Sequence, residues 1–131
     1  MKSKSWRSYF DLKMGVIGAL FMGVVVFFVN SEHPLLFALT AAIKQASYTF
    51  VAGGFLMKLC ENLSIRLADP LSSILLAVLT TTLVSATLTF GVHSLKGTPE
   101  PINSTLITIL FAVPGFTWWA IRKRKKNKKG L

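Results

Sequence analysis

The sequence predicts an all-α membrane protein in which four transmembrane helices form an antiparallel bundle with both termini on the cytoplasmic side. Apolar residues make up 52% of the 131 residues and charged residues only 15%, and the charges cluster between long apolar runs. Each of four such runs is long enough to cross a hydrocarbon core of about 30 Å as a helix. We predict the spans at about 14–29, 35–60, 71–92 and 105–121, in a single membrane domain covering 1–131.

The segment before the first span, 1–13, is basic and contains interleaved aromatic residues. Trp6, Tyr9 and Phe10 alternate with Lys and Arg, which is typical of an amphipathic segment in the headgroup zone. The first span has no charged residue and no small-x-small cleavage site, so we interpret it as a retained signal anchor. The polar turn 30–34 after it is short enough to force a helical hairpin.

The later connections are marked by helix-breaking and charged residues. Residues 61–70 are predicted to form a loop that ends at an Asp-Pro pair, and 93–104 a turn-rich loop with several Gly and Pro. Pro114 and Gly115 lie inside the last span, where a proline removes a backbone hydrogen bond and predicts a kink. The segment 122–131 is predicted to be a basic tail.

The distribution of basic residues predicts the orientation. Thirteen of the fifteen Lys and Arg would lie on one side of the membrane: four in 1–13, Lys58 at the inner end of the second span, Arg66 in the loop that follows, and seven in the tail. Lys96 alone would lie on the other side, and Lys44 lies within a span. The positive-inside rule therefore places both termini in the cytoplasm.

The same distribution indicates the partners of the basic segments. Charge at membrane boundaries favours contact with anionic lipids, whereas a nucleic-acid-binding domain would carry its charge on one folded face. We predict no nucleic-acid partner. A bacterial inner membrane is the favoured location. The endoplasmic reticulum is the alternative for a eukaryotic host, because Lys128 and Lys129 resemble a dilysine retrieval signal.

Small residues recur at helical spacing in three spans. In lipid, helices associate where small side chains let their backbones approach closely. The pattern predicts either packing within one bundle or an interface between protomers in a homo-oligomer. The predicted packing residues are Gly15, Ala19 and Gly23 in the first span, Ala38, Ala42 and Ala46 in the second, and Ser73, Ala77, Thr80, Thr87 and Gly91 in the third.

Lys44 is the sharpest candidate for a functional residue. On a helix it shares one face with Thr40, Ser47 and Tyr48, and Gln45 lies at the edge of that face. No span contains an acid that could neutralise it. One interpretation is a site for an anion or a lipid headgroup. The other is a lysine that extends its amine to the outer interface.

Metal binding and catalysis have little support. His33 and His93 fall at the outer ends of spans, but two histidines without further ligands make only a weak metal candidate. We predict no cofactor. The sequence contains no hydrolase, phosphate-binding or zinc-protease motif, so we predict that the protein is not an enzyme.

These observations leave two functional hypotheses. The first is a small transporter or channel-type subunit that handles an anion or a lipid headgroup near Lys44. The alternative is an accessory or assembly protein that docks a larger membrane complex through its small-residue helix faces.

Overall fold

A computed structural model of the chain describes residues 5–96 and 101–130, and the regular structure in these ranges is helical. The helices are α1 (Leu12–Val29), α2 (Leu35–Ser64), α3 (Pro70–Leu95) and α4 (Pro101–Lys129), preceded by a 3-10 helix at Trp6–Ser8. Each α-helix contains a stretch long and apolar enough to cross a membrane. The predictions of an all-α chain and of four membrane-spanning helices are thus confirmed at this level, which fits a multi-pass membrane protein.

Two helices extend well beyond the apolar runs that predicted them. α2 continues to Ser64, and α4 continues to Lys129 through most of the segment predicted to be a tail. Lys and Arg are good helix formers, and the next glycine is Gly130, so nothing in the basic segment stops the helix. The apolar runs therefore predict the length suited to cross a membrane and not the ends of the helices.

The chain forms two compact units, and the boundary between them lies within α2, after Lys58. In the first unit α1 packs on α2 through its glycines. A Cβ atom at Gly15 would lie 2.9 Å from the carbonyl oxygen of Phe50, and one at Gly23 would lie 3.3 Å from the Cβ of Ala46. The two helices therefore run in opposite directions where they are in contact.

The segment before α1 is anchored on α2. The ring of Phe10 covers Gly54 and packs against two phenylalanines of α2, with ring centroids 5.3 Å apart in each case. The Asp11 amide donates a hydrogen bond to the Gly54 carbonyl over 2.9 Å, and the Asp11 carboxylate caps the first turn of α1. Trp6 and Tyr9 are exposed, as expected of aromatic residues in a headgroup zone.

In the second unit α3 and α4 pack against each other. The buried residues of α3 are small and recur at every fourth position, and small side chains are what let two helix backbones approach in lipid. They are Ser73, Ala77, Thr81, Ser85 and Thr89.

The predicted packing stripe on α3 agrees with this row at its first two positions and then departs from it. Thr80 is half-buried, Thr87 is exposed, and a Cβ atom at Gly91 would meet no atom within 4 Å. The prediction alternated steps of three and four residues, which suits a left-handed supercoil. The buried row keeps a constant step of four, which follows the i±4 ridge of a helix surface.

The short connection between α2 and α3 is fixed by hydrogen bonds. The Ser73 hydroxyl donates to the Leu63 carbonyl over 2.8 Å and accepts from the Leu67 amide over 3.2 Å. Asp69 caps α3 by accepting a hydrogen bond from the Ser72 amide over 2.7 Å. Bonds from the Ser72 hydroxyl and amide lower the pKa of Asp69 below its ordinary value. Both ends of this loop are therefore held by side chains.

Candidate functional site

Lys44 projects from the side of α2 that faces away from α1. The side that faces α1 includes Ala46 and Thr49, whose side chains lie next to the glycines Gly23 and Gly18. Each residue turns a helix by about 100°, so Lys44 and Ala46 point in nearly opposite directions. Lys44 is accordingly exposed on the surface of the fold.

Only some of the polar side chains predicted around Lys44 are exposed, and two of them are already hydrogen-bonded. Within the described residues the Lys44 side chain forms no hydrogen bond or ion pair. The Thr40 hydroxyl donates to the Leu36 carbonyl of its own helix over 2.7 Å, and the Gln45 amide donates to the Thr49 hydroxyl over 3.1 Å. These bonds occupy Thr40 and Gln45, and they leave the Lys44 amine as the charged group of this face without a partner in the described residues. Of the five predicted residues, Thr40, Lys44 and Ser47 are exposed, and Gln45 and Tyr48 are half-buried.

The packing of α1 on α2 gives the depth of Lys44. Gly23 lies against the α2 turn from Ala42 to Ala46, so Lys44 is level with Gly23. Gly23 precedes the end of α1 at Val29 by six residues, which corresponds to about 9 Å along the helix axis. A lysine side chain covers roughly 6 Å. If the end of α1 marks the edge of the apolar layer, the Lys44 amine lies inside that layer and close to its edge.

No acid of the described residues lies beside Lys44 on α2. Asp11 and Asp69 cap helices, Glu32 lies in the turn before α2, and Glu61 pairs with a lysine near the end of α4. A cation in the apolar layer costs several kcal/mol. No acid in this part of the chain therefore neutralises Lys44, and its amine either extends to the interface or meets an anion from outside.

A second polar cluster, which the sequence interpretation missed, joins the end of α4 to the loop after α2. The Arg124 guanidinium donates three hydrogen bonds to main-chain carbonyls: to Ser64 over 3.1 Å, and to Leu67 and Ala68 over 2.6 Å each. The last carbonyls of a helix have no partner within the helix. Arg124 supplies partners to Ser64, the last residue of α2, and to the loop that follows.

Lys123 belongs to the same cluster. Its amine lies 2.6 Å from a carboxylate oxygen of Glu61, and 4.4 Å from the centre of the Trp119 ring. All the charged groups are partly buried, which strengthens the attraction between them. The signal in the sequence was an acid near the end of one helix and basic residues after the last apolar run. It stayed ambiguous because the same basic residues also fit a tail.

Cys60 lies in the core of the second unit and is fully buried. Its thiol is 3.5 Å from the Phe116 carbonyl of α4, and the Thr81 hydroxyl of α3 is a further hydrogen-bonding partner. Cys60 thus connects three helices as a small, weakly polar side chain.

Pro114 and Gly115 do not end α4, which continues through both residues. Both are exposed, and a Cβ atom at Gly115 would meet no atom within 4 Å. The nearby Thr117 hydroxyl donates to the Val113 carbonyl over 2.7 Å, within the same helix. The kink at Pro114 stays a prediction.

The two histidines lie in different units. His33 is exposed in the turn after α1 and packs against the Phe37 ring, with centroids 5.1 Å apart, whereas His93 is half-buried near the end of α3. In the ranges 5–96 and 101–130, no three His, Cys, Asp or Glu residues are grouped as a metal site would require. Lys44 thus remains the strongest candidate among the predicted functional residues.

We found no match to this chain among family models, curated proteins or solved structures.

Proposed function

We propose that the protein is a small transporter or channel-type subunit that handles an anion or a lipid headgroup at Lys44. The observation that carries the proposal is an exposed lysine within an apolar helix, with no acid of the described residues beside it. Ionisable residues within membrane spans are costly and are most often functional. An anion at this position would supply the charge that the described residues do not place there.

We propose that the functional form is a homo-oligomer. Four helices enclose little internal space, and Lys44 projects from the side of α2 opposite α1. A path for an anion would then run along a seam between subunits, lined by Lys44 with the exposed hydroxyls of Thr40 and Ser47. Repeating the lysine in several subunits would raise the local positive potential.

The proposed topology is an antiparallel four-helix bundle with both termini in the cytoplasm, favoured in a bacterial inner membrane. The excess of Lys and Arg on one predicted side supports it. The hydrogen bonds of Arg124 to the loop after α2 also support it, because they join two of the basic segments that this topology assigns to the cytoplasm. For a eukaryotic host, the endoplasmic reticulum is the alternative.

Anion flux through reconstituted protein tests the proposed role of Lys44. We expect Lys44→Gln to lower the flux of chloride, nitrate or phosphate by at least about tenfold, because an attraction of a few kcal/mol is lost at low effective dielectric. Lys44→Arg should retain much of the flux. Lys96→Gln, which removes the same charge from an exposed position at the end of α3, is the matched control.

The transfer of labelled anionic lipid, measured in the same vesicles, distinguishes a path for ions from a path for lipids. If Lys44→Gln leaves both the flux of every tested anion and the transfer of labelled anionic lipid unchanged, the transport proposal is wrong.

The alternative function is that of an accessory protein, and one observation favours it. Thr87 and Gly91 share a face of α3, Thr87 is exposed, and among the described residues a Cβ atom added at Gly91 would have no contact within 4 Å beyond the backbone of its own helix. A face of small residues left open is suited to a close contact with a helix of another membrane protein.

We expect Gly91→Leu to abolish co-purification of a stoichiometric partner in mild detergent, because a large side chain prevents close approach of two helices. Gly115→Leu on α4 is the matched control, since its position is equally open. Recovery of only a monodisperse homo-oligomer, unchanged by Gly91→Leu, would contradict the accessory role.

A further inference from the structure

The seven Lys and Arg residues at the end of α4 divide into two groups. Lys123 and Arg124 are partly buried, and their charges are used within the protein by Glu61 and by main-chain carbonyls. The other five are exposed along the helix. They are Arg122, Lys125, Lys126, Lys128 and Lys129.

Arg122 and Lys125 lie on the same helix face as Trp118. The three residues are spaced by four and three positions, which places them on one side of a helix. Trp118 is 54% exposed, and the Arg122 guanidinium carbon lies 5.1 Å from the centre of its ring. Tryptophan is enriched at the level of lipid headgroups, so the ring contact holds the Arg122 guanidinium at that level.

The continuous helix decides which basic residues reach the headgroups. Ile121 is the last apolar residue of α4, so Arg122 marks the edge of the apolar layer. Lys125 lies about 4.5 Å further along the axis, and Lys129 about 10.5 Å further. The headgroup layer on each side of a bilayer is about 5 to 8 Å thick. Arg122 and Lys125 therefore lie within that layer, and Lys128 and Lys129 lie beyond it.

We propose that Trp118, Arg122 and Lys125 form a binding site for an acidic phospholipid of the surrounding bilayer. The guanidinium is suited to hydrogen-bond a phosphate group, the Lys125 amine adds charge attraction, and the indole packs against the upper acyl chain. The inference is independent of Lys44, and it separates the lipid-binding residues from Lys123 and Arg124, which stabilise the fold.

Tryptophan quenching by brominated lipids in vesicles tests the site. The full chain carries Trp6→Phe, which removes the tryptophan of the first unit and retains a ring beside Phe10. The remaining tryptophans are Trp118, which is exposed, and Trp119, which is buried. Brominated phosphatidylglycerol diluted in phosphatidylcholine is expected to quench their fluorescence more strongly than brominated phosphatidylcholine does at the same dilution. The measurement is made at about 0.15 M salt, where screening limits attraction to about 8 Å.

Two variants that remove the same charge distinguish this site from a general field of the basic segment. We expect Arg122→Gln/Lys125→Gln to lower the preference for phosphatidylglycerol by at least about fivefold, the contribution of one basic residue near a membrane surface. Lys128→Gln/Lys129→Gln is expected to retain most of it. Equal losses in both variants, or no preference in the parent protein, would overturn the proposal.

Lys125→Gln alone provides a second variant if the pair folds poorly. Its melting temperature in detergent should match that of the parent, and its preference for phosphatidylglycerol should still fall. An unchanged preference in this variant would also count against the site.

Discussion

Arg124→Ala is expected to destabilise the second unit by about 2 to 3 kcal/mol. Hydrogen bonds from a charged group each contribute about 1.5 to 3 kcal/mol. Arg124 donates three, to the carbonyls of Ser64, Leu67 and Ala68. Solvent reaches part of this cluster, so the total is well below the sum of three buried bonds. The loss would be measured as the unfolding free energy in mixed micelles with increasing dodecyl sulfate.

Two variants separate this role of Arg124 from its charge. Arg122→Ala removes the same charge from the same helix, but Arg122 is exposed and rests on Trp118, so a loss below about 1 kcal/mol is expected. Arg124→Lys keeps the charge and loses the planar fork that bonds several carbonyls at once. We expect it to be intermediate. Equal stability of Arg124→Ala and Arg122→Ala would show that the three hydrogen bonds contribute nothing measurable.

The presence of four helices followed directly from the sequence because each apolar run satisfies one physical requirement. A chain in lipid must pair its own backbone groups, and a helix does so within one segment. The starts of α2 and α3 were equally visible, at Pro34 and at the Asp69-Pro70 pair. The end of α4 was less so, because hydropathy reports contact with lipid while the helix ends only where the backbone is interrupted, at Gly130.

The buried face of α3 illustrates what the sequence left open. Thr80, Thr81 and Thr82 offer a small polar side chain on three different sides of the helix. Any of them fits a close helix contact, so the choice of Thr81 depends on the partner helix and its crossing angle.

The surroundings of Lys44 were predictable only in part. The spacing of the polar residues places Lys44 on one face of α2. Whether that face is exposed depends on which side of α2 the glycines of α1 contact, and the spacing does not give that side.

Gly15→Ala is expected to destabilise the first unit by about 1 to 2 kcal/mol, although alanine is the better helix former. The added Cβ would lie 2.9 Å from the main-chain oxygen of Phe50 and 3.3 Å from its ring. A backbone oxygen is unable to rotate away, so α1 and α2 would have to separate. Overpacking of this kind costs about 1 to 3 kcal/mol, and the gain in helix propensity offsets up to about 1 kcal/mol.

Gly53→Ala in the same unit is the matched control. The nearest atom to its added Cβ is a methyl carbon of Thr49 at 3.8 Å, an ordinary contact, so the gain in helix propensity should remain and this variant should be as stable as the parent or slightly more so. The two variants add the same methyl group to helical glycines of one unit. A difference in their unfolding free energies therefore measures the close approach of α1 to α2. Equal unfolding free energies for Gly15→Ala and Gly53→Ala would contradict the contact of 2.9 Å between an added Cβ atom at Gly15 and the Phe50 carbonyl oxygen.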